Sequence, residues 1–377
     1  MKLFFLHFFE LSPHSGISKK IIYQTNALKK LGVDVELCHL KIYDDGKQCR
    51  VCGDVDIDEL GSGWKVRFTK WFKYRKLTDY IIEAGIDVLY IRSFYNTTPQ
   101  LLKMFKSLKI RGVKIVLEFP TYPYDSEVRG GALKTRMIFL VNRLFRSQLR
   151  KYVDRAVTFS LSDFIHGIPT IKISNGIDFS AVPLKRVTDA TKDIVLLGVA
   201  DIHIWHGFDR VILGLDDYYR NSLMGVRVVF NIVGDGDTFE IERLKQLTID
   251  LGLSEFVHFY GYLYGEMLDE AFNTAHFGIA SLARHRTNIT NIKTLKNREY
   301  AARGIPFLYS ERDEDFDGMP YIIKVSADDS SIDISAIVNF LNQFNMTPDD
   351  IRNSIIDSLS WDIQMKRVLD NIYTYDD

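Results

Sequence analysis

Short apolar runs alternate with helix-period patterns along almost the whole chain. Runs at 3–9, 33–40, 88–91, 113–117, 156–159 and 171–174 read as buried strands. Helical patterns fill the gaps, such as 17–31, closed by Gly32, and 99–110, before Gly112. After a polar, irregular stretch at 178–192 the series restarts, with runs at 194–198, 226–233, 257–259, 277–280, 307–309 and 321–325. Strands that alternate with helices predict βαβ units and parallel sheets. The pattern therefore predicts an α/β chain of two doubly wound, Rossmann-like domains facing a central cleft, at 1–180 and 181–357. A last helical pattern at 358–377 follows the completed second sheet and is expected to cross back to the first domain. The acidic, cysteine-containing segment 41–62 is an insertion to which the pattern assigns no role.

At 377 residues the chain has room for two ordinary domains and a large core. No run approaches the roughly 18 apolar residues of a membrane-spanning helix. The first ten residues imitate a signal peptide faintly, but His7 and Glu10 interrupt them and no small-residue cleavage site follows. A cytoplasmic protein is expected. Cys38, Cys49 and Cys52 are too few for a disulfide framework. Cys49 and Cys52 have zinc-knuckle spacing, but no second pair completes a tetrahedral site. The net charge of −1 hides an asymmetry: residues 1–180 hold 29 Lys and Arg against 18 Asp and Glu, and the remainder 19 against 31. The basic half is expected to face something anionic.

In doubly wound sheets, ligands bind beyond the carboxyl ends of the strands. Three such loops carry candidate chemistry. Gly16, after the first strand, opens a helix whose N-terminus suits a phosphate, and a plain βα turn fits equally. Asp235 and Asp237 look like a metal-binding carboxylate pair, yet they sit where a turn and a helix N-cap are needed. The segment 281–296 brings Arg284, His285, Arg286, Lys293 and Lys296 to the start of a helix near Thr294. Free amides with cations make a diphosphate site, and Glu299, one turn further, can accept two hydrogen bonds from a ribose diol. A solvated helix with Glu299 paired to Arg303 explains the same residues.

These residues also resemble the nucleotide-sugar-dependent, retaining glycosyltransferases of family 4, which have the GT-B fold. The resemblance lies in Ile173–Asp178, Val233–Gly236, Leu251–Leu253 and Phe259–Gly261, and most specifically in the helix-turn-strand from Leu295 to Pro306, which matches the second acid of the family's Glu-x7-Glu motif. Residues 118–125 with His285 and Arg286 resemble a subgroup found with bacterial surface-polysaccharide synthesis. The resemblance implies transfer from a UDP- or GDP-sugar to a glycan or lipid-linked acceptor, without metal or cofactor. It makes Glu299 the ribose acid. The amides of Thr294 and Leu295, with Lys296, hold the distal phosphate, and Gly16 borders it. Gly261 and Tyr262 lie beside the base. Glu118 stands near the reacting sugar, with Tyr122 and Asp125 on the acceptor side.

Three departures matter. Asn291 stands where the first acid of the motif belongs, so the contact to donor-sugar hydroxyls loses its charge. Ala200 or Asp201 stands near the usual arginine, and His206 at the usual lysine. Neutralising a diphosphate then falls to Arg286 and Lys296, and a non-catalytic nucleotide-sugar-binding homologue is the rival expectation. An epimerase of the same fold is a further alternative that no residue favours. Finally, segment 63–76 interleaves cations with aromatics. Segment 133–153 carries an apolar stripe of Leu133, Met137, Leu140, Val141, Leu144, Phe145 and Leu149 among basic residues. Such segments fit the inner face of an anionic membrane, and a core helix with a basic outer face fits as well. No nucleic-acid recognition motif accompanies the charge.

Overall fold

The computed structural model describes residues 1–12, 15–123, 133–186, 193–221 and 225–373. The chain divides into two compact units, Met1–Ser174 with Trp361–Asp377, and Asn175–Ser360.

In the first unit the strands are β1 (Lys2–Glu10), β2 (Asp34–Ile42), β3 (Gln48–Cys52), β4 (Val55–Gly61), β5 (Val88–Arg92), β6 (Lys114–Phe119), β7 (Arg155–Thr158), β8 (Phe164–Ile165) and β9 (Ile168–Lys172). They form one sheet in the order β4-β3-β2-β1-β5-β6-β7-β9-β8. Six neighbours from β2 to β9 run parallel, while β3 and β4 pair antiparallel on the outer side of β2. The insertion at 41–62 is therefore a hairpin that widens the sheet. The helices are α1 (Gly16–Lys30), α2 (Gly63–Phe72), α3 (Arg75–Glu83), α4 (Pro99–Ile110) and α5 (Leu133–Phe145). Both sheet faces are covered, which explains the unbroken apolar runs. Along β1, Leu3 and Phe5 pack with Ile21 and Leu28 of α1, while Phe4 and Leu6 pack with Leu77 of α3 and Phe105 of α4.

The second unit contains β10 (Ile194–Val199), β11 (Val228–Val233), β12 (Val257–Gly261), β13 (Phe277–Ile279), β14 (Phe307–Tyr309) and β15 (Ile322–Lys324). Its sheet is parallel throughout, in the order β12-β11-β10-β13-β14-β15. That is the doubly wound order whose direction reverses between β10 and β13. Helices α6 (Phe208–Asn221), α7 (Thr238–Asp250), α8 (Glu266–Thr274), α9 (Leu295–Arg303), α10 (Ile334–Gln343) and α11 (Pro348–Leu359) complete it. Gly304 ends α9 at φ +74°, and a Cβ there would lie 2.4 Å from Pro348.

The final helix, α12 (Trp361–Ile372), belongs to the first unit. It buries Trp361, Met365, Val368 and Ile372 in the same cluster as Ile21 and Leu28 of α1. The division at 174/175 and 360/361 sets most of the expected linker inside the second unit, where Ile177 bridges to Ser360 and Lys185 donates to the carbonyl of Arg303.

Candidate functional site

Reversal of strand order in the second unit opens the sheet between the loops that follow β10 and β13. After β10 the chain makes a short 3-10 turn at Ile204–His206 and leaves it through Gly207 at φ +65°. A Cβ on Gly207 would meet Leu282 at 2.9 Å, so only glycine lets the two loops touch. They are joined by Leu282 N–H to the His206 carbonyl at 3.1 Å and Ala283 N–H to the Trp205 carbonyl at 3.2 Å. Arg284 then lies over the Trp205 ring, 5.2 Å from its centroid. The loop continues to Thr294, whose hydroxyl caps α9 at the Asn297 amide. The amides of Leu295 and Lys296 precede the first intrahelical bond.

Lys296 is the second residue of α9. Its Nζ is buried, donates to no acceptor among the described residues, and lies 5.6 Å from the Phe208 ring centroid. Burial pushes its pKa well below the ordinary lysine value; Arg284 adds to this and Asp201 opposes it. His206 is 4% exposed, and its Nδ1 accepts the His203 N–H at 3.0 Å. Burial, with Lys296 and Arg284 nearby, holds its pKa well below the usual value. A neutral imidazole at 206 cannot replace a lysine's charge. A buried ammonium without an acceptor, an arginine beside it and two free helix amides form a receptor for a polyanion.

The other expected residues divide between this receptor and the scaffold. Arg286 is engaged within the unit. Its Nη1 and Nη2 hold both oxygens of Asp209 at 3.1 and 3.0 Å, its Nε holds Asp329 at 2.7 Å, and Nη1 also bonds the Ile204 carbonyl. It pins the two loops together, while the charge of Arg284 acts on Lys296. Glu299 makes the i,i+4 pair with Arg303, at 3.2 Å, through Oε1 alone. Oε2 bonds no described residue, and the side chain is 33% exposed. Asn291 is exposed and donates to the Thr290 hydroxyl. Gly261 ends β12 at φ +65°, followed by Tyr262, half-exposed, with its ring 6.2 Å from that of Tyr264. Asp237 caps α7 at the Glu240 amide, and the Asp235 carboxylate accepts from Gly236 N–H at 2.9 Å while its backbone carbonyl accepts from Ile202 N–H.

In the first unit, Gly16 opens α1 behind the N-cap Ser15. Glu118 lies in a buried polar ring. It is fully buried, with Oε1 3.1 Å from Lys20 Nζ and Oε2 accepting from Gln24 Nε2 and the Tyr90 hydroxyl at 2.7 Å each. Burial alone would raise its pKa; Lys20 and Arg92, with the two hydrogen bonds, hold it below the usual value. Tyr122 is partly buried, its ring 5.9 Å from that of His166, and Asp125 lies outside the described residues. The Lys20–Gln24–Tyr90–Arg92 ring around Glu118 went unread in the sequence. Its signal was Arg92, which ends an otherwise apolar strand.

On α5, Met137, Leu140 and Leu144 are about 60% exposed, between exposed Arg143 and the basic residues that follow, whereas Leu149 is buried. The expected stripe thus splits, its described outer part facing solvent. Trp64 of α2 is 70% exposed. Among the described residues no helix is long and apolar enough to cross a membrane.

No family model and no curated protein matches the sequence. Solved structures match its fold from end to end. A sucrose-phosphate synthase from Thermosynechococcus elongatus superposes with a TM-score of 0.68 at 13% identity, over 99% of each chain. A glycosyltransferase from Rickettsia africae gives 0.65 at 12% identity, over 98% of this chain and 97% of its own. Anabaena HepE, solved in complex with UDP, gives 0.63 at 14% identity, over 99% of each chain.

Proposed function

We propose that the protein is a glycosyltransferase of the GT-B type, moving a sugar from a UDP- or GDP-sugar to a glycan or lipid-linked acceptor. The observation that carries this reading is the buried ammonium of Lys296, without an acceptor among the described residues, beside Arg284 at the reversal point of the second sheet. A nucleoside diphosphate supplies the missing negative charge. Fixed cations and helix amides then stabilise the charge that develops on the departing diphosphate, with no need for a metal ion. Oε2 of Glu299 takes the ribose diol. The anomeric configuration is retained, as the resemblance implies, and no protein nucleophile is assigned. The fold shared with HepE, a protein solved with UDP, supports UDP as the first donor class to test.

Calorimetric titration with UDP, GDP and ADP, first without metal and then with manganese, tests the reading. Metal-free binding of one of them, weakened about tenfold to a hundredfold in Lys296→Met, is expected. Binding of none overturns it, and binding only with manganese overturns the metal-independent form. Turnover of the matching nucleotide-sugar separates a transferase from a homologue that only binds.

The acceptor reading places the basic first half against an anionic membrane. Met137, Leu140 and Leu144 supply an apolar face, with Arg143, Arg150 and Lys151 exposed near it. Co-sedimentation with anionic vesicles that weakens as salt rises is expected; no binding, or binding indifferent to salt, removes the membrane from the proposal.

A further inference from the structure

Strand order in the first unit reverses between β1 and β5, so its sheet also opens beyond their carboxyl ends. Arg92 is the last residue of β5, in register with Glu118 on β6. We propose that Arg92 is an anion-binding residue that takes a phosphate or carboxylate group of a ligand at this mouth.

Arg92 is unlike the other buried arginines. Arg298 holds Asp313 and Asp315, Arg50 holds Asp58 and two carbonyls, and Arg210 holds Asp328 and two carbonyls. The Arg92 side chain is 12% exposed, yet its buried Nε donates to no described acceptor. Its nearest acid is Glu118, 3.7 Å from Nε, beyond hydrogen-bond reach. Glu118 Oε2 is taken by Gln24 and Tyr90, and Oε1, which makes no hydrogen bond, lies 3.1 Å from Lys20 Nζ, nearer than Arg92. Two cations thus share one carboxylate, which leaves a positive charge that the ring does not balance. Neighbouring His7, buried in β1, adds no negative charge. A guanidinium with its planar fork of donors unused, at the end of a strand beside the reversal point, is matched by a two-oxygen anion.

An acceptor that carries such a group is its source. That assignment rests on the transferase reading, whereas the anion site itself does not. The experiment therefore starts with inorganic phosphate, titrated into Lys296→Met so that the second unit's receptor is silent. Binding is expected, and it weakens about tenfold or more in Lys296→Met/Arg92→Gln, the loss typical of a charge-assisted hydrogen bond. Undiminished binding in the double variant, or none in Lys296→Met, overturns the proposal. If the double variant fails to fold, Lys296→Met/Glu118→Gln decides: removal of the competing carboxylate should tighten phosphate binding, and unchanged or weaker binding overturns the proposal.

Discussion

Lys296 is held where an ammonium is least comfortable, buried and without an acceptor. Its folded pKa lies below the ordinary value, so the unfolded chain binds the extra proton and stability rises with pH between the two values. Lys296→Met should therefore raise the thermal midpoint of the unliganded protein at neutral pH while weakening UDP binding about tenfold to a hundredfold. A variant that loses both stability and binding would make the lysine a packing residue. His7 gives a second test. Burial, aided by Arg92 and His39, lowers its pKa from 6.5 to about 4. The neutral form stabilises the fold fully above the unfolded value, and this contribution is lost as pH falls towards the folded one. Urea unfolding at neutral pH and near pH ~4.5 should show a steeper loss in wild type than in His7→Gln, by up to about 3 kcal/mol.

At the scale of elements, Gly304 couples the end of α9 to the start of α11. Gly304→Ala forces an L residue to φ +74° and sets a Cβ against Pro348, so a loss of about 2–4 kcal/mol is expected in thermal unfolding. This turn, the strand that follows and the helix before it were legible because glycine, proline and an apolar triplet each act locally. The hairpin β3–β4 was not, since its acidic outer strand lacks an apolar run and takes its register from β3, which in turn pairs with β2. Nor could spacing tell Arg284 from Arg286; the difference is made by Asp209 and Asp329, both distant in sequence. On α5, Leu140→Ser and Leu144→Ser should each weaken vesicle binding by about 1–2 kcal/mol and leave the unfolding midpoint unchanged, as both side chains are exposed.

At the scale of the whole molecule, the basic half and the acidic half coincide closely with the two units. The first unit is assembled from two separate pieces of chain. Removing residues 361–377 strips Trp361, Met365, Val368 and Ile372 from the face of α1, each contributing about 1.5–3 kcal/mol of burial. Limited proteolysis of that truncation should digest residues 1–174 and spare the second unit; a resistant first unit would show that α12 is dispensable.

The same arrangement orders events during synthesis. The first 174 residues emerge from the ribosome well before their covering helix exists. The intervening 175–360 take roughly ten to forty seconds to translate, ample time for the second unit to finish folding. Throughout that interval the face of α1 stays uncovered, although every strand of its sheet has been made. A stop codon between 361 and 372 would thus yield a chain with an intact second unit and a first unit whose α1 face is never fully covered.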